Sequence, residues 1–212
     1  MIIKENNWES YFYKNENILK NKLNIHDEIE LKKKEYEIVT RKNIILYLSD
    51  IQGDFDIEHL KNIHKFLFED VYPFAGKFRL VNMGKDNRAS FTDYKTIEKN
   101  LKDILFDIDS KLINKAYSKF LYAEALAFMY HELLEIHPFR EGNGRTVREF
   151  LRQYVSSRNK LLENIEYHLE YTLSNEEKIL FENATKSHIN GPLVLIFNKM
   201  LKEKSKSVKL KK

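Results

Sequence analysis

Between residues 137 and 148 the chain runs His-Pro-Phe-Arg-Glu-Gly-Asn-Gly-Arg-Thr-Val-Arg, and those residue types at that spacing suit phosphate chemistry. His137 is a group that takes up a proton near neutral pH. Glu141 is a hard carboxylate of the kind that serves Mg2+ when the remaining ligands are phosphates and waters. Gly142, Asn143 and Gly144 place backbone amides at a helix start, where the dipole favours negative charge. Arg145 and Arg148, three apart, share a helix face and can form forked bonds to phosphate oxygens. Taken singly these features are weak, since a His-Pro pair usually marks a helix end and arginines on a helix are usually solvated. Base, metal ligand, amide cradle and two guanidiniums within twelve residues point to a phosphate site.

Holding those groups together requires a helix, a tight turn and a second helix. Leu126, Met129, Tyr130, Leu133, Leu134 and Ile136 recur at helical spacing, which predicts a helix over 122–136. Pro138 stops it, because proline lacks an amide and biases its predecessor away from helical angles. Val147, Phe150, Leu151 and Tyr154 then resume the 3.6-residue period in a helix over 143–157.

The stretch matches at every defined position the signature His-Pro-Phe-x-Asp/Glu-Gly-Asn-Gly-Arg-x-x-Arg of the Fic-domain family, and the chain resembles that family. The resemblance implies a mainly α fold, a helical bundle with a small β-hairpin flap. It implies a protein adenylyltransferase that moves AMP from ATP to a Tyr, Thr or Ser hydroxyl of a target protein. On that footing His137 is the base and Glu141 the Mg2+ ligand. Gly142, Asn143 and Gly144 bind the α- and β-phosphates, Arg145 the β/γ region and Arg148 the γ-phosphate, with Phe139 as the buried anchor of the loop. Tyr72-Pro-Phe-Ala-Gly-Lys-Phe-Arg79 is similar to what precedes the family's flap. The flap aligns a target segment by main-chain pairing, a form of strand addition. Lys77, Arg79, Val81, Met83 and Lys85 are the target-facing candidates.

The restraint usual in the family is a helix with Ser/Thr-x-x-x-Glu-Gly/Asn, and no stretch of this chain fits it. Glu-Asn pairs at 16–17, 163–164 and 182–183 have Phe12, Asn159 and Lys178 four residues before the glutamate, and Thr172-x-x-x-Glu176 is followed by Glu177. Control by a separate small antitoxin is therefore the expectation. The run from Tyr13 to Leu23 resembles the start of bacterial Fic toxins of that kind.

The remainder of the chain sets bounds. At 212 residues it supports one sizeable core, and we expect a single domain over 1–201 followed by a disordered Lys-rich tail, 202–212. A net charge of +4 does not by itself call for nucleic acid. The absence of cysteine removes disulfides and thiolate metal sites, and a cytoplasmic setting is expected, with no membrane-spanning run. His131-Glu132-Leu133-Leu134-Glu135 opens like a zinc-protease helix, but Glu135 stands where the second histidine must be. No Gly-x-x-x-x-Gly-Lys-Ser/Thr loop occurs. The rival readings are another Fic-type nucleotide or phosphate transfer, a silent nucleotide-binding regulator, and a nucleic-acid contact through the tail.

Upstream, residues 1–24 are expected to be loosely ordered, with Asp27 capping a helix over 28–50 whose apolar stripe is Ile29, Tyr36, Ile38, Val39, Ile44 and Leu48. A helix over 57–69 includes His64 in a structural role. Alternation over 77–83 and a turn at 84–87 predict a β-hairpin. A helix running to about Leu112 starts at Thr92 or Asp93. Ser174 and Glu177 form a capping box for a helix over 175–188, and Leu193 to Leu201 forms the last helix.

Overall fold

A computed structural model describes residues 8–84, 91–108, 110, 118–157, 166–187 and 190–203. Among them are seven α-helices: α1 Glu28–Leu48, α2 Ile57–Phe68, α3 Ile97–Asp107, α4 Lys119–Ile136, α5 Asn143–Ser157, α6 Asn175–Ser187 and α7 Asn190–Met200. Two short strands, β1 Tyr167–Leu169 and β2 Leu201–Glu203, pair antiparallel with Leu169 opposite Leu201. The mainly helical class is therefore as expected. No helix among the described residues is long and apolar enough to cross a membrane.

Local chemistry sets several helix starts. The Asp27 carboxylate accepts the Glu30 amide at 2.8 Å at the start of α1, and Asp56 does the same for His59 at 2.9 Å at the start of α2. Asp93 caps the turn before α3 by accepting the Lys95 amide at 2.9 Å. The capping box of α6 is reciprocal, with Ser174 N donating to Glu177 Oε2 at 2.8 Å and Glu177 N to Ser174 Oγ at 3.2 Å.

The chain divides into two compact units, residues 1–103 with 133–150 and residues 104–132 with 151–212. In the first, α1 packs on α2, and Leu60, Ile63, Leu67, Phe68, Phe139 and Phe150 are fully buried. In the second, Tyr130, Phe181 and Phe197 form an aromatic cluster with ring centroids 5.1–6.2 Å apart, and α6 packs on α7.

Three expectations change. The inward face of α1 carries Leu31, Glu35, Val39 and Leu46, while Ile29 and Leu48 are each 80% exposed. A charged residue in the buried row hid the true stripe. The strand pairing is β1 with β2, so Lys202 and Glu203 belong to a sheet and not to the tail. Their side chains stay exposed while the main chain finds its partners on β1. Residues 77–84 form no regular strand, although Phe91 N donates to Met83 O at 2.9 Å. Lys85 and the rest of the expected turn lie outside the described residues, as does the tail beyond Glu203.

Candidate active site

The twelve residues of the signature form a six-residue turn directly after α4 and the first six residues of α5. All of them lie in the first unit. His137 sits just past α4 with φ +47°, the left-handed conformation that usually ends a helix on glycine. For a non-glycine residue that conformation is costly and persists only where its surroundings hold it.

Arg79 supplies the hold. Its side chain is 1% exposed, and its guanidinium donates to four carbonyls: His137 O at 2.8 Å, Val81 O at 2.6 Å, Ile136 O at 3.2 Å, and Thr92 O. Its amide adds a bond to Pro138 O at 2.9 Å. Ile136 and His137 carry carbonyls that α4 leaves unsatisfied at its C-terminus, where a cation is also favoured by the dipole. Burial lowers the Arg79 pKa below the ordinary arginine range, and the neighbouring Asp93 works in the opposite direction.

This corrects the assignment of Arg79 and Val81 to a target-facing edge, because both are buried. The amides of Lys77, Arg79 and Leu80 are also committed, to Phe74 O, Pro138 O and Tyr11 Oη. Alternation across 77–83 did put Arg79 and Val81 on one side, but that side faces the core. Lys77 is exposed and Met83 partly so.

His137 is half-buried, and its Nδ1 lies 3.2 Å from Leu134 O. A carbonyl only accepts, so Nδ1 carries the proton and Nε2 is the basic nitrogen. The ring of Phe91 stacks on the imidazole at 3.9 Å and 10°. Phe91 was not singled out from the sequence, since a lone aromatic after a turn carries no distinguishing signal.

Phe139 is fully buried, as expected of an anchor, and stacks on His64 at 3.8 Å and 10°. Asn143 clamps the anchor's main chain: Phe139 N donates to Oδ1 and Nδ2 donates to Phe139 O, both at 2.8 Å. Its side chain is thereby spent on the loop, so what Asn143 can offer an anion is its backbone amide. The first-turn amides of α5, from Asn143, Gly144 and Arg145, have no acceptor within the helix. The Gly142 amide is taken at 2.9 Å by Glu141 Oε1. Gly142 has φ +80°, and a Cβ there would lie 2.3 Å from the Phe68 ring, so no other residue fits.

His64 latches the underside of the loop. Gly76 N donates to its Nδ1 at 2.7 Å, and its Nε2 donates to Glu141 O at 3.0 Å. The structural role expected of it is therefore specific: a neutral imidazole joining the 72–76 turn to the loop. Burial pushes its pKa down to about 4. An unfolded chain takes up this proton near 6.5 while the folded chain does not until about 4, so stability is full above pH 6.5 and falls as pH drops through that window. We predict a loss of about 3 kcal/mol across it. Urea unfolding at a series of pH values measures the slope, and His64→Gln should flatten it; an unchanged slope refutes the assignment.

Glu141 is partly exposed and its carboxylate lies 3.5 Å from Arg145 Nη2. No cluster of three metal-ligating side chains exists among the described residues. One accessible carboxylate beside free helix-start amides fits Mg2+ that takes its other ligands from phosphates and water. Arg148 lies on the same side of α5 as Gly144, with Nη1 3.4 Å from where a Cβ on Gly144 would stand.

The Fic/DOC family matches residues 54–155. The protein adenylyltransferase VbhT of Bartonella schoenbuchensis is 38% identical over 136 residues, 64% of this chain but only 28% of that protein's length. The probable protein adenylyltransferase y4lH of Sinorhizobium fredii is 33% identical over 141 residues, 66% of this chain and 71% of its own. The crystal structure of BepC from Bartonella tribocorum with bound AMPPNP superposes with a TM-score of 0.77 at 22% identity, covering 93% of this chain and 98% of that one. At that identity the likeness concerns the fold.

Proposed function

The chain belongs to the Fic/DOC family, and from that premise we propose that it transfers AMP from ATP to a hydroxyl side chain of a target protein. The observation that carries the reading is the imidazole of His137, fixed in one tautomer beside an anion-binding helix start. His137 Nε2 takes the proton of the target's Tyr, Thr or Ser hydroxyl as its oxygen bonds to the α-phosphorus. The bond from that phosphorus to the bridging α,β-oxygen breaks, and pyrophosphate leaves with the electron pair. Such displacement depends mostly on positioning and charge stabilisation.

The amides of Asn143 and Gly144 face the phosphates, with Arg145 on the β/γ region and Arg148 on the γ-phosphate. Glu141 would hold Mg2+, which supplies charge neutralisation for the departing pyrophosphate. Lys77 and Met83 are the remaining candidates to meet the target. AMP transfer is favoured over phosphate transfer by Gly144, where the Doc-type kinases of the family carry a lysine. A side chain there would start 3.4 Å from the Arg148 guanidinium. The relatives named adenylyltransferases and the AMPPNP held by BepC support the same reading. Restraint by a separate small antitoxin rests on the missing inhibitory motif.

Incubation with Mg2+, a cell lysate and ATP labelled at either the α- or the γ-phosphorus tests this. Label retained from the α-position only, with an added AMP mass on a hydroxyl residue, is the expected result. Label retained from the γ-position turns the assignment to phosphate transfer, and nucleotide binding without label leaves a silent regulator.

A further inference from the structure

Glu35 occupies an unusual place. It lies on the buried face of α1 between Leu31 and Val39, with its side chain 9% exposed. A carboxylate there is costly to desolvate unless well paired. Two partners meet it: the Tyr72 hydroxyl donates to Oε2, and Arg145 Nη1 pairs with Oε1. Tyr72 is itself buried and stacked on Phe74 at 4.8 Å. Burial and the Glu35 charge push its hydroxyl pKa well above the ordinary tyrosine range, so it stays a donor.

Arg145 is consequently held on three sides. Glu35 takes Nη1, Glu141 Oε1 stands 3.5 Å from Nη2, and the Phe68 ring lies under the guanidinium at 4.7 Å. A long side chain that must grip phosphate loses rotamer freedom on binding, and one already fixed loses less. Without Glu35 the nearest opposite charge would be Glu141, and Arg145 would swing onto the carboxylate meant for the metal. Glu35 precedes the 54–155 stretch matched by the family, so the family match assigns it nothing.

We propose that Glu35, backed by Tyr72, is a positioning residue that aims Arg145 at the β- and γ-phosphates and keeps it from closing on Glu141. The proposal rests on the adenylyl-transfer reading. Glu35→Gln preserves shape and hydrogen bonding but removes the charge, and Tyr72→Phe removes only the hydroxyl that steadies it. Titration calorimetry of the full chain with ATP–Mg2+ and with AMP gives the readout. Glu35→Gln is expected to bind ATP–Mg2+ about tenfold more weakly, the size of one charge-assisted hydrogen bond. AMP, which lacks the phosphates that Arg145 would meet, is expected to bind unchanged. Tyr72→Phe should shift ATP–Mg2+ affinity in the same direction by less, and it stands as the test if Glu35→Gln unfolds.

Equal weakening for both nucleotides would reduce Glu35 to a structural role and overturn the proposal. So would unchanged or tighter ATP–Mg2+ binding, the latter meaning that the carboxylate competes with phosphate. A wild-type chain that transfers AMP while the variants bind like it sinks this inference alone. A wild-type chain that does not bind ATP–Mg2+ sinks the transfer reading and this inference with it.

Discussion

His137→Ala is expected to lower AMP transfer by ~10²–10⁴-fold, the usual worth of a positioned proton acceptor, while ATP–Mg2+ still binds. The imidazole is partly exposed, and its contacts include the Leu134 carbonyl and the Phe91 ring. In the proposed site the phosphates are met by other residues, so removing the ring should subtract chemistry and leave the grip. The backbone at φ +47° is a complication, because alanine is no better suited to it than histidine. Asparagine tolerates that conformation, so His137→Asn separates the lost base from any backbone effect. Both variants are predicted to be inactive with α-labelled ATP and to bind nucleotide normally by calorimetry. Wild-type labelling by either variant would remove His137 from the reaction.

Arg79→Met should cost stability and the site together. Four carbonyls, two of them fully buried, lose their donor, and the loss is predicted to be on the order of 4 kcal/mol. That is a large share of a typical domain's stability. With the carbonyls of Ile136 and His137 released, the left-handed turn that presents His137 relaxes, so nucleotide binding should weaken in whatever fraction stays folded. Arg79→Lys is not expected to rescue it, since a single ammonium cannot reach carbonyls spread around a planar fork. Urea unfolding and ATP titration check both parts. A variant as stable as wild type would mean that the clamp is dispensable.

Residues near one another in the chain were legible from order alone. Asp27, Ser174 and Glu177 cap the helices they were expected to cap, and α5 begins at Asn143 as the signature requires. A cap or a glycine turn acts over three or four residues, so its signal lies within the stretch it shapes. Long-range partners leave no such trace. Arg79 reads as one more alternating residue until its guanidinium reaches carbonyls 57 and 58 residues away. His64 reads as a core histidine until it is found joining Gly76 to Glu141. The face of α1 was misread because Glu35 interrupts the apolar row that a period search looks for.

From the order of residues alone came the helix–turn–helix around 137–148, the caps of α1 and α6 and the kind of ligand the turn suits, because those follow from nearest neighbours and side-chain chemistry. The tertiary structure alone decided what keeps that bend in shape and aims its groups: Arg79 beneath His137, Asn143 turned back on Phe139, and Glu35 with Tyr72 behind Arg145. The reason is physical, in that a buried charge or amide gains its stability from partners brought close only when the whole unit has packed.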